Sequence, residues 1–401
     1  MNTGSLDTGT LDPPPWKNIT WKTSYSLPTE CIDLSSSWII ATPDTLRDIK
    51  DRISDYSDNI WEYYKKLTNP YELIFTTQGD IPTPQSICIV KPLSRSYFKM
   101  IEMLSLIGFF DMFKGSAIRT AHVCEGPGGF IEATYDMGER LRRRVVGTKT
   151  MTLKPTHNHI PGWRRAANFL RKHPEVKIHY GPKGTGDILD AANRAAFIED
   201  ARHVHLFTAD GGVDFTTNFP EQEKTIFPLL CASIHIGLNV LCAGGVFILK
   251  FFDAFSVPTQ DLIIGLGSQF KRWTLYKPAT SRPCNSEQYF IGVDYKGLSP
   301  KFMKIVEDAI ETMPASLWDE NTVRGLREAL KEDQMYRAGR QIDAINAAIL
   351  AIRLPAASVV EVWKKNLQMC TNYCRSFSIF TSGTAIRRVD DMRADTVPID
   401  S

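Results

Sequence analysis

The sequence lacks several features that would assign it to a broad class at once. Its 401 residues carry 47 basic and 45 acidic side chains, so no excess charge of one sign marks a polyanion-binding protein. No uninterrupted apolar run reaches the roughly 18 residues of a membrane span. The polar N-terminus also lacks the apolar segment of a secretion signal. We therefore expect a soluble, intracellular protein that does not enter a membrane.

Cysteine and histidine patterns do not indicate a metal site. The eight cysteines are scattered, and only Cys370 and Cys374 lie close together, without the second ligand pair of a zinc site. Histidines occur as two H-x-H pairs, His157 with His159 and His203 with His205, which are more typical of strands or loops than of ligands. We expect reduced thiols, which are usual inside cells, and no bound metal.

A glycine-rich stretch is the most informative feature that is present. An apolar segment leads into it and a helix pattern follows it, and its residues are Cys124, Glu125, Gly126, Pro127, Gly128, Gly129 and Phe130. Such a turn lets a ligand lie against the main chain at a helix N-terminus. The G-x-G-x-x-G pattern of dinucleotide sites is absent. The turn suits S-adenosylmethionine better than a pyrophosphate, although a purely structural loop is an equal alternative.

Strand and helix patterns alternate between residues 117 and 293. The predicted strands are Ala117–Cys124, Arg144–Thr148, Val176–His179, His203–Ala209, Val246–Phe251, Arg272–Leu275 and Tyr289–Val293. This alternation predicts an α/β fold with a Rossmann-like, doubly wound and mostly parallel sheet. Ligands of such sheets bind at the carboxyl ends of the strands.

The flanking segments differ from this central part. We expect a disordered tail over 1–20, an N-terminal extension over 21–85 and a central domain over 86–297. Helical patterns then predict a helical C-terminal extension over 298–385, followed by a mobile, charged tail over 386–401.

Four charged residues accompany the predicted strand ends. Lys99 lies in a helix before the glycine turn, Asp210 follows an apolar strand, Lys250 lies at the end of another, and Glu287 precedes the last strand. A buried ammonium is costly unless an anion is near, and Asp210 and Glu287 offer anions to Lys250. Partial desolvation and a second cation lower the pKa of a lysine, so we expect Lys250 to act as a neutral base. A lysine reaching solvent from a strand end is the alternative.

This constellation resembles the Lys-Asp-Lys-Glu tetrad of FtsJ-type ribose 2′-O-methyltransferases (class I methyltransferase fold), most of all the mRNA cap enzymes of eukaryotes and large DNA viruses. The resemblance covers about residues 90–297. It is carried by the segments 122–130, 180–188, 208–212, 220–223, 249–251, 277–282 and 285–287.

The resemblance implies specific roles. Lys250 would take the proton of the ribose 2′-hydroxyl, and Glu287 would orient Lys250. Asp210 and Lys99 would hold the hydroxyl and the methyl donor in line. S-adenosylmethionine would lie on the segment 124–130, and Asp187 would contact its adenine. Asp187 is equally well interpreted as the N-cap of a helix beginning at Ile188.

The chain departs from the family pattern at two places. The segment from Val145 to Met151 has no carboxylate for the donor ribose, and His122 stands where many members have an aspartate.

Several basic and aromatic residues are candidates for RNA binding. Basic residues cluster at 140 and 142–144, and around Trp163 with Arg164, Arg165, Arg171 and Lys172; they indicate a phosphate-binding surface or an ordinary solvated face. Aromatic residues in the N-terminal part are candidates for a cap pocket or for the core; they are Trp16, Trp38, Trp61 and Tyr63.

The combined hypothesis is methyl transfer from S-adenosylmethionine to a ribose 2′-hydroxyl near the 5′ cap of mRNA. Expected partners are the capped 5′ end and other capping or transcription machinery, in the nucleus of a cell or, for a viral protein, at cytoplasmic replication sites or in the virion. The alternatives are ribosomal-RNA 2′-O-methylation and a non-catalytic RNA-binding capping subunit. A nicotinamide oxidoreductase is disfavoured by the missing G-x-G-x-x-G pattern.

Overall fold

The computed structural model describes residues 15–17, 19–34, 38, 40, 42–77, 82–156, 162–212 and 222–397. Most of the predicted N-terminal tail, the histidine pair at 157 and 159, and residues 220 and 221 of the motif at 220–223 lie outside these ranges.

Ten strands occur in the described ranges. They are β1 (Lys22–Thr23), β2 (Glu30–Asp33), β3 (Ile118–Val123), β4 (Val145–Met151), β5 (Val176–His179), β6 (Val204–Ala209), β7 (Leu241–Phe251), β8 (Phe270–Tyr276), β9 (Gln288–Tyr295) and β10 (Ser316–Trp318). Each of the seven strands expected from the sequence is present, with its ends shifted by a few residues at most places.

Helices occupy the segments between and around the strands. They are α1 (Asp44–Asp51), α2 (Asp58–Leu67), α3 (Ser96–Ile107), α4 (Phe109–Met112), α5 (Gly129–Arg140), α6 (Ala167–Lys172), α7 (Ala191–Asp200), α8 (Gln222–Val240), α9 (Val257–Gly267), α10 (Pro300–Thr312), α11 (Glu320–Ala351), α12 (Ala356–Ser376) and α13 (Gly383–Asp390). Short 3₁₀ turns cover Pro15–Lys17, Arg52–Asp55, Glu72–Ile74, Trp163–Ala166 and Ala394–Thr396.

Eight of the strands form one sheet in the order β1-β8-β9-β7-β6-β3-β4-β5. The neighbours from β7 to β5 run parallel, and β9, β8 and β1 are added in antiparallel pairs. The chain winds from β3 outwards in both directions, so β3 and β6 flank the point where strand order reverses. The predicted doubly wound, mostly parallel sheet is confirmed, as is the helical C-terminal region.

Both faces of the sheet are covered, which explains the nearly continuous apolar strands. Alternate residues face opposite layers. Leu206, Val246 and Ile248 join the core under α3 and α5. Phe207, Phe247 and Leu249 join the core under α8 and α9. All six side chains are at most 5% exposed, so the central strands contribute buried residues to both layers of the core.

The N-terminal and C-terminal extensions pack on each other. Leu46 and Ile49 of α1 share a buried cluster with Ile345 of α11. The indole of Trp363 on α12 donates to the hydroxyl of Tyr63 at 3.4 Å. Strand β2 of the first extension also pairs with β10 of the second. The two extensions therefore pack on each other as well as on the core of the sheet.

Residues within both predicted tails contact the rest of the chain. Trp16 makes edge contacts with Tyr71, Tyr373 and Phe377, at ring-centre distances of 5.3–5.7 Å. At the other end α13 begins before residue 386 and buries Val389. Polar composition concealed these segments, because one or two apolar side chains suffice to anchor them.

Gly237 in α8 lies so close to the sheet that substituting it tests this packing. A Cβ atom on Gly237 would lie 2.2 Å from Phe247 and 2.5 Å from Phe207. We expect Gly237→Ala to lower the free energy of unfolding by about 1–3 kcal/mol through overpacking. Urea titrations followed by circular dichroism would measure it.

The matched control is Gly325→Ala in α11, where an added Cβ meets nothing within 4 Å. It should raise the free energy of unfolding by up to about 1 kcal/mol, because alanine favours helix. Equal effects of the two substitutions would contradict the close packing of α8 on the sheet.

Candidate active site

The candidate site lies at the carboxyl edge of the parallel strands. Register brings Val123, Ala209 and Leu249, near the ends of β3, β6 and β7, to one level across the sheet. The residues that follow them are Cys124, Asp210 and Lys250, so the chain delivers three predicted site residues to one place. Antiparallel β9 begins at the same edge, since Phe251 pairs with Gln288, the residue after Glu287.

The chain turns sharply where β3 ends. Cys124 has a φ of 56°, in the left-handed region that costs a non-glycine residue of order 1–3 kcal/mol. Gly128 has a φ of 104° and lies under Trp163, whose ring would be 3.1 Å from an added Cβ. At Gly129 an added Cβ would lie 2.2 Å from the hydroxyls of Ser94 and Ser96. The glycines therefore let α5 begin directly against α3.

Glu125 is a buried carboxylate inside this turn. Its Oε1 accepts from the backbone N–H of Phe130 at 2.7 Å, which caps the start of α5. Its Oε2 has no hydrogen-bond partner among the residues that the structure describes. Burial, followed by the charge of Asp210, raises the pKa of Glu125 well above its usual value. A buried acceptor without a partner suits a ligand that brings a donor or a positive charge.

The four predicted tetrad residues come together as two ion pairs. Lys99 Nζ lies 2.6 Å and 2.8 Å from the two carboxylate oxygens of Glu287. Lys250 Nζ lies 3.3 Å from Oδ1 of Asp210. The backbone of Gly212 closes over this second pair, since an added Cβ would be 3.3 Å from Lys250 Nζ. Glu287 contacts Lys99 directly, whereas the sequence suggested Lys250 as its partner.

The pKa of Lys250 differs in direction from the sequence-based expectation. Burial acts to lower this pKa, but the negative charges of Asp210 and Glu287 outweigh it and raise the pKa above its ordinary value. The expectation was wrong because it counted Lys99 as a bare cation. Lys99 is neutralised by Glu287, so Lys250 experiences mostly the nearby carboxylates.

Glu287 is shifted in the opposite direction. Burial raises its pKa, but the ammonium groups of Lys99 and Lys250 more than compensate and hold the pKa at about 2. The carboxylate therefore stays charged throughout the neutral range and supplies a fixed negative charge to both lysines.

Tyr289 is a site residue that the sequence predicted only as the start of the last strand, without a role. Its hydroxyl donates to Oδ1 of Asp210 at 3.0 Å. It is the cross-strand partner of Lys250, so both side chains lie on the same face of the sheet. The spacing from Glu287 to Tyr289 offered a signal, because residues two apart on a strand share a face.

A basic pocket of 270 Å³ opens beside Lys99. Its other lining residues are Phe75, Thr77, Arg95, Thr280, Arg282 and Asn285. Two guanidinium groups share the carboxylate of Glu72, with Arg95 at 3.2 Å and Arg282 at 3.1 Å. Because two cations share one anion, the described residues around the pocket carry a net positive charge.

Asp187 lies in the loop before α7, where it accepts from the backbone N–H of Leu189 at 2.9 Å. It is not a helix cap, because α7 begins later, and Asp190 accepts from the backbone N–H of Asn193 as the N-cap. The predicted contact of Asp187 with adenine stays a prediction.

The predicted basic surface is divided between two edges of the sheet. Arg143 and Arg144 directly precede β4 and so lie at its amino end, opposite the candidate site. Arg140 forms an ion pair with Asp136 at 2.9 Å, and Lys172 one with Glu139 at 2.9 Å. Trp163 is buried against the glycine turn. This cluster therefore does not form one surface beside the tetrad.

The aromatic candidates for a cap pocket serve mainly in packing. Trp16 and Tyr63 contact other aromatic rings edge-on. Trp38 donates to the backbone carbonyl of Met313 at 3.2 Å, and Trp61 packs on the cluster between α1 and α11. These contacts favour the interpretation of these residues as core aromatics.

Within the described ranges, no helix combines the length and apolar character needed to cross a membrane. No group of three or more histidine, cysteine, aspartate or glutamate side chains is arranged there to hold a metal ion.

Comparison with known proteins gives matches to methyltransferases. The sequence is 27% identical over 293 residues to a protein of Danio rerio named cap-specific mRNA (nucleoside-2′-O-)-methyltransferase 2, covering 66% of this chain and 36% of that protein. A Trypanosoma cruzi protein named cap-specific mRNA (nucleoside-2′-O-)-methyltransferase 1 is 27% identical over 277 residues, covering 65% and 74%. A protein of Autographa californica nuclear polyhedrosis virus named cap-specific mRNA (nucleoside-2′-O-)-methyltransferase is 34% identical over 172 residues, covering 42% and 61%.

The chain spans only 36–38% of the length of its fish, fly and mouse relatives. The family model of the FtsJ-like methyltransferases matches residues 92–295, which is about half of the chain and includes all four tetrad residues. The chain therefore belongs to the FtsJ-like methyltransferase family.

Proposed function

We propose that this chain transfers a methyl group from S-adenosylmethionine to a ribose 2′-hydroxyl near the 5′ cap of mRNA. The observation that carries the proposal is the meeting of two largely buried Lys–carboxylate pairs, Lys99 with Glu287 and Lys250 with Asp210, beside the glycine turn. The names of the relatives support the capped substrate.

The glycine turn fits the methyl donor. Gly128 and Gly129 let the chain turn closely against Trp163 and α3, which places the start of α5 at the site. The free oxygen of Glu125 is an acceptor for the ammonium group of a bound amino acid moiety. S-adenosylmethionine supplies an activated methyl group, so the protein needs to align the ribose oxygen more than to create a strong nucleophile.

Lys250 would take the proton of the attacking hydroxyl. Asp210 holds its ammonium at 3.3 Å, and Tyr289 in turn holds Asp210 at 3.0 Å, so the nitrogen is fixed in position. Lys99 offers a second positive charge for the ribose or its phosphate. Glu287 limits this charge by pairing with Lys99.

The basic pocket beside Lys99 would receive the RNA backbone. Arg95 is fixed by the backbone carbonyl of Thr280 at 2.7 Å as well as by Glu72, so its position is set before RNA arrives. Phosphate binding by ordered guanidinium groups is geometrically specific, because the planar fork matches two oxygens.

Replacement of the proposed base tests this function. We expect Lys250→Met to reduce methyl transfer to cap-0 RNA by about 10²–10⁴-fold, because a positioned base is lost. Label from S-adenosylmethionine would be located by nuclease digestion and mass spectrometry. RNA already methylated on the first nucleotide, and uncapped RNA, complete the substrate set.

Lys271→Met is the matched control, since Lys271 is exposed on β8 and pairs with Asp294. It should transfer methyl groups at the wild-type rate. Equal label on uncapped RNA would instead support a ribosomal-RNA type of substrate. Donor binding without transfer to any RNA would support a non-catalytic subunit.

The pH dependence tests the raised pKa of Lys250. Only the neutral amine accepts a proton, and its fraction rises about tenfold per pH unit below the pKa. We expect the single-turnover rate to increase steadily from pH 7 to above pH 9. Asp210→Asn should move this rise to lower pH, because the carboxylate that chiefly raises the pKa is removed.

A wild-type rate that stays constant between pH 7 and 9 would contradict proton removal by Lys250. An unchanged profile in Asp210→Asn would contradict the assignment of the raised pKa to Asp210.

A further inference from the structure

Lys277 spans the two ends of the loop between β8 and β9. It directly follows β8, yet its Nζ donates to the backbone carbonyls of Asn285 at 2.7 Å and of Glu287 at 2.9 Å. It also donates to Oδ1 of Asn285 at 2.8 Å, and lies 3.3 Å from the hydroxyl of Ser281. All of these acceptors belong to the loop that ends at Glu287.

The contacts of Lys277 are not those of an ion pair. Each of these four acceptors is a carbonyl or hydroxyl oxygen, so its donors are directed at the main chain and at neutral side chains. Burial lowers the pKa of Lys277 to about 7; Glu287 opposes this effect, and Lys99 and Arg337 add to it. Burying the ammonium group of Lys277 costs free energy, and its N–H donors bond to oxygens of the loop. This combination indicates that Lys277 holds the loop in its conformation.

Glu287 is the residue whose position depends on this loop. Its backbone carbonyl is held by Lys277, while its carboxylate lies 2.6 Å from Lys99. The same carboxylate contributes to the raised pKa of Lys250. A shift of the loop would therefore move the charge that acts on both tetrad lysines.

We propose that Lys277 is a positioning residue for methyl transfer, which fixes Glu287 against Lys99 by holding the backbone of residues 285–287. This inference rests on the proposed function. Lys277 acts through Glu287 and has no contact with the reacting atoms in this assignment.

The pH dependence of the rate reports the charges around Lys250, and a residue with a purely structural role would not change it. Lys250 is influenced by Asp210 and Glu287, and by Glu125 from the glycine turn. If Glu287 moves away, Lys250 loses one of these anions and its pKa falls. The rise of the rate with pH then shifts to lower pH.

The experiment compares four variants with the wild type: Lys277→Met, Glu287→Gln, the double variant and the exposed control Lys271→Met. Single-turnover rates of methyl transfer to cap-0 RNA would be measured as a function of pH, with the KM for S-adenosylmethionine. Hydrogen exchange of the loop would be followed in the same proteins. Lys277→Gln, which keeps one donor group, replaces Lys277→Met if that variant does not fold.

We expect Lys277→Met to lower kcat by up to about 10²-fold, the cost of a displacement of about 1 Å, with an unchanged KM for the donor. Its pH profile should shift to lower pH, as in Glu287→Gln. The double variant should be no slower than Glu287→Gln alone, because both substitutions act on the same interaction, that of Glu287 with Lys99. Lys271→Met should match the wild type.

Two results would overturn the proposal. One is a loss in the double variant equal to the product of the single losses. The other is a uniform loss in Lys277→Met with an unshifted pH profile.

Hydrogen exchange of the loop tests the positioning role of Lys277 independently of the proposed function. The amides of Ser281 and Asn285 bond within the loop to the carbonyls of Pro278 and Arg282. They should exchange faster in Lys277→Met than in Lys271→Met, even if the wild type methylates none of the RNAs. In that case the proposed function fails while loop positioning stands. Unchanged exchange would overturn the positioning by Lys277.

Discussion

The buried ion pair between Lys99 and Glu287 is the constraint on which the site depends. The two residues are 188 positions apart, on α3 and on the loop before β9, and both side chains are largely buried. Removing one partner would leave an uncompensated charge, at a cost of about 3–5 kcal/mol. The helix before the glycine turn and the last strand must therefore dock together, and the geometry of the tetrad follows from this docking.

The surroundings of this pair hold both of its elements in place. Glu102 lies one turn after Lys99 on α3 and accepts from the backbone N–H of Ala279 at 2.9 Å, so α3 also binds the loop that leads to Glu287. From the other side, Gln341 of α11 donates to the carbonyl of Cys284 at 2.9 Å, in the same loop. The C-terminal extension thus contacts the site loop directly, which gives a physical reason for its presence beside the methyltransferase fold.

Local pattern predicted the fold well, because buried parallel strands are continuous apolar runs and the glycine turn has a distinctive composition. It also named the residues that meet at the sheet edge. Which carboxylate contacts which lysine was not predictable, since the pairing depends on the packing of α3 against β9. The direction of the pKa shift of Lys250 follows from that pairing and was missed with it. The place of Arg144 was open to prediction: it was the first residue of a predicted strand, which already put it at the edge opposite the expected ligand site.

Charge is distributed differently in the two halves of the site. Among the tetrad residues, two ammonium groups face two carboxylates, so the proposed reaction centre is close to neutral overall. In the adjoining pocket Arg95 and Arg282 share the carboxylate of Glu72, which leaves a positive charge among the described residues there. Phosphate attraction is therefore strongest in the pocket and weak at the tetrad. A backbone phosphate drawn to the pocket would leave Lys250 free to contact a neutral hydroxyl. At a strongly cationic centre, phosphate oxygens would instead compete with that hydroxyl for Lys250.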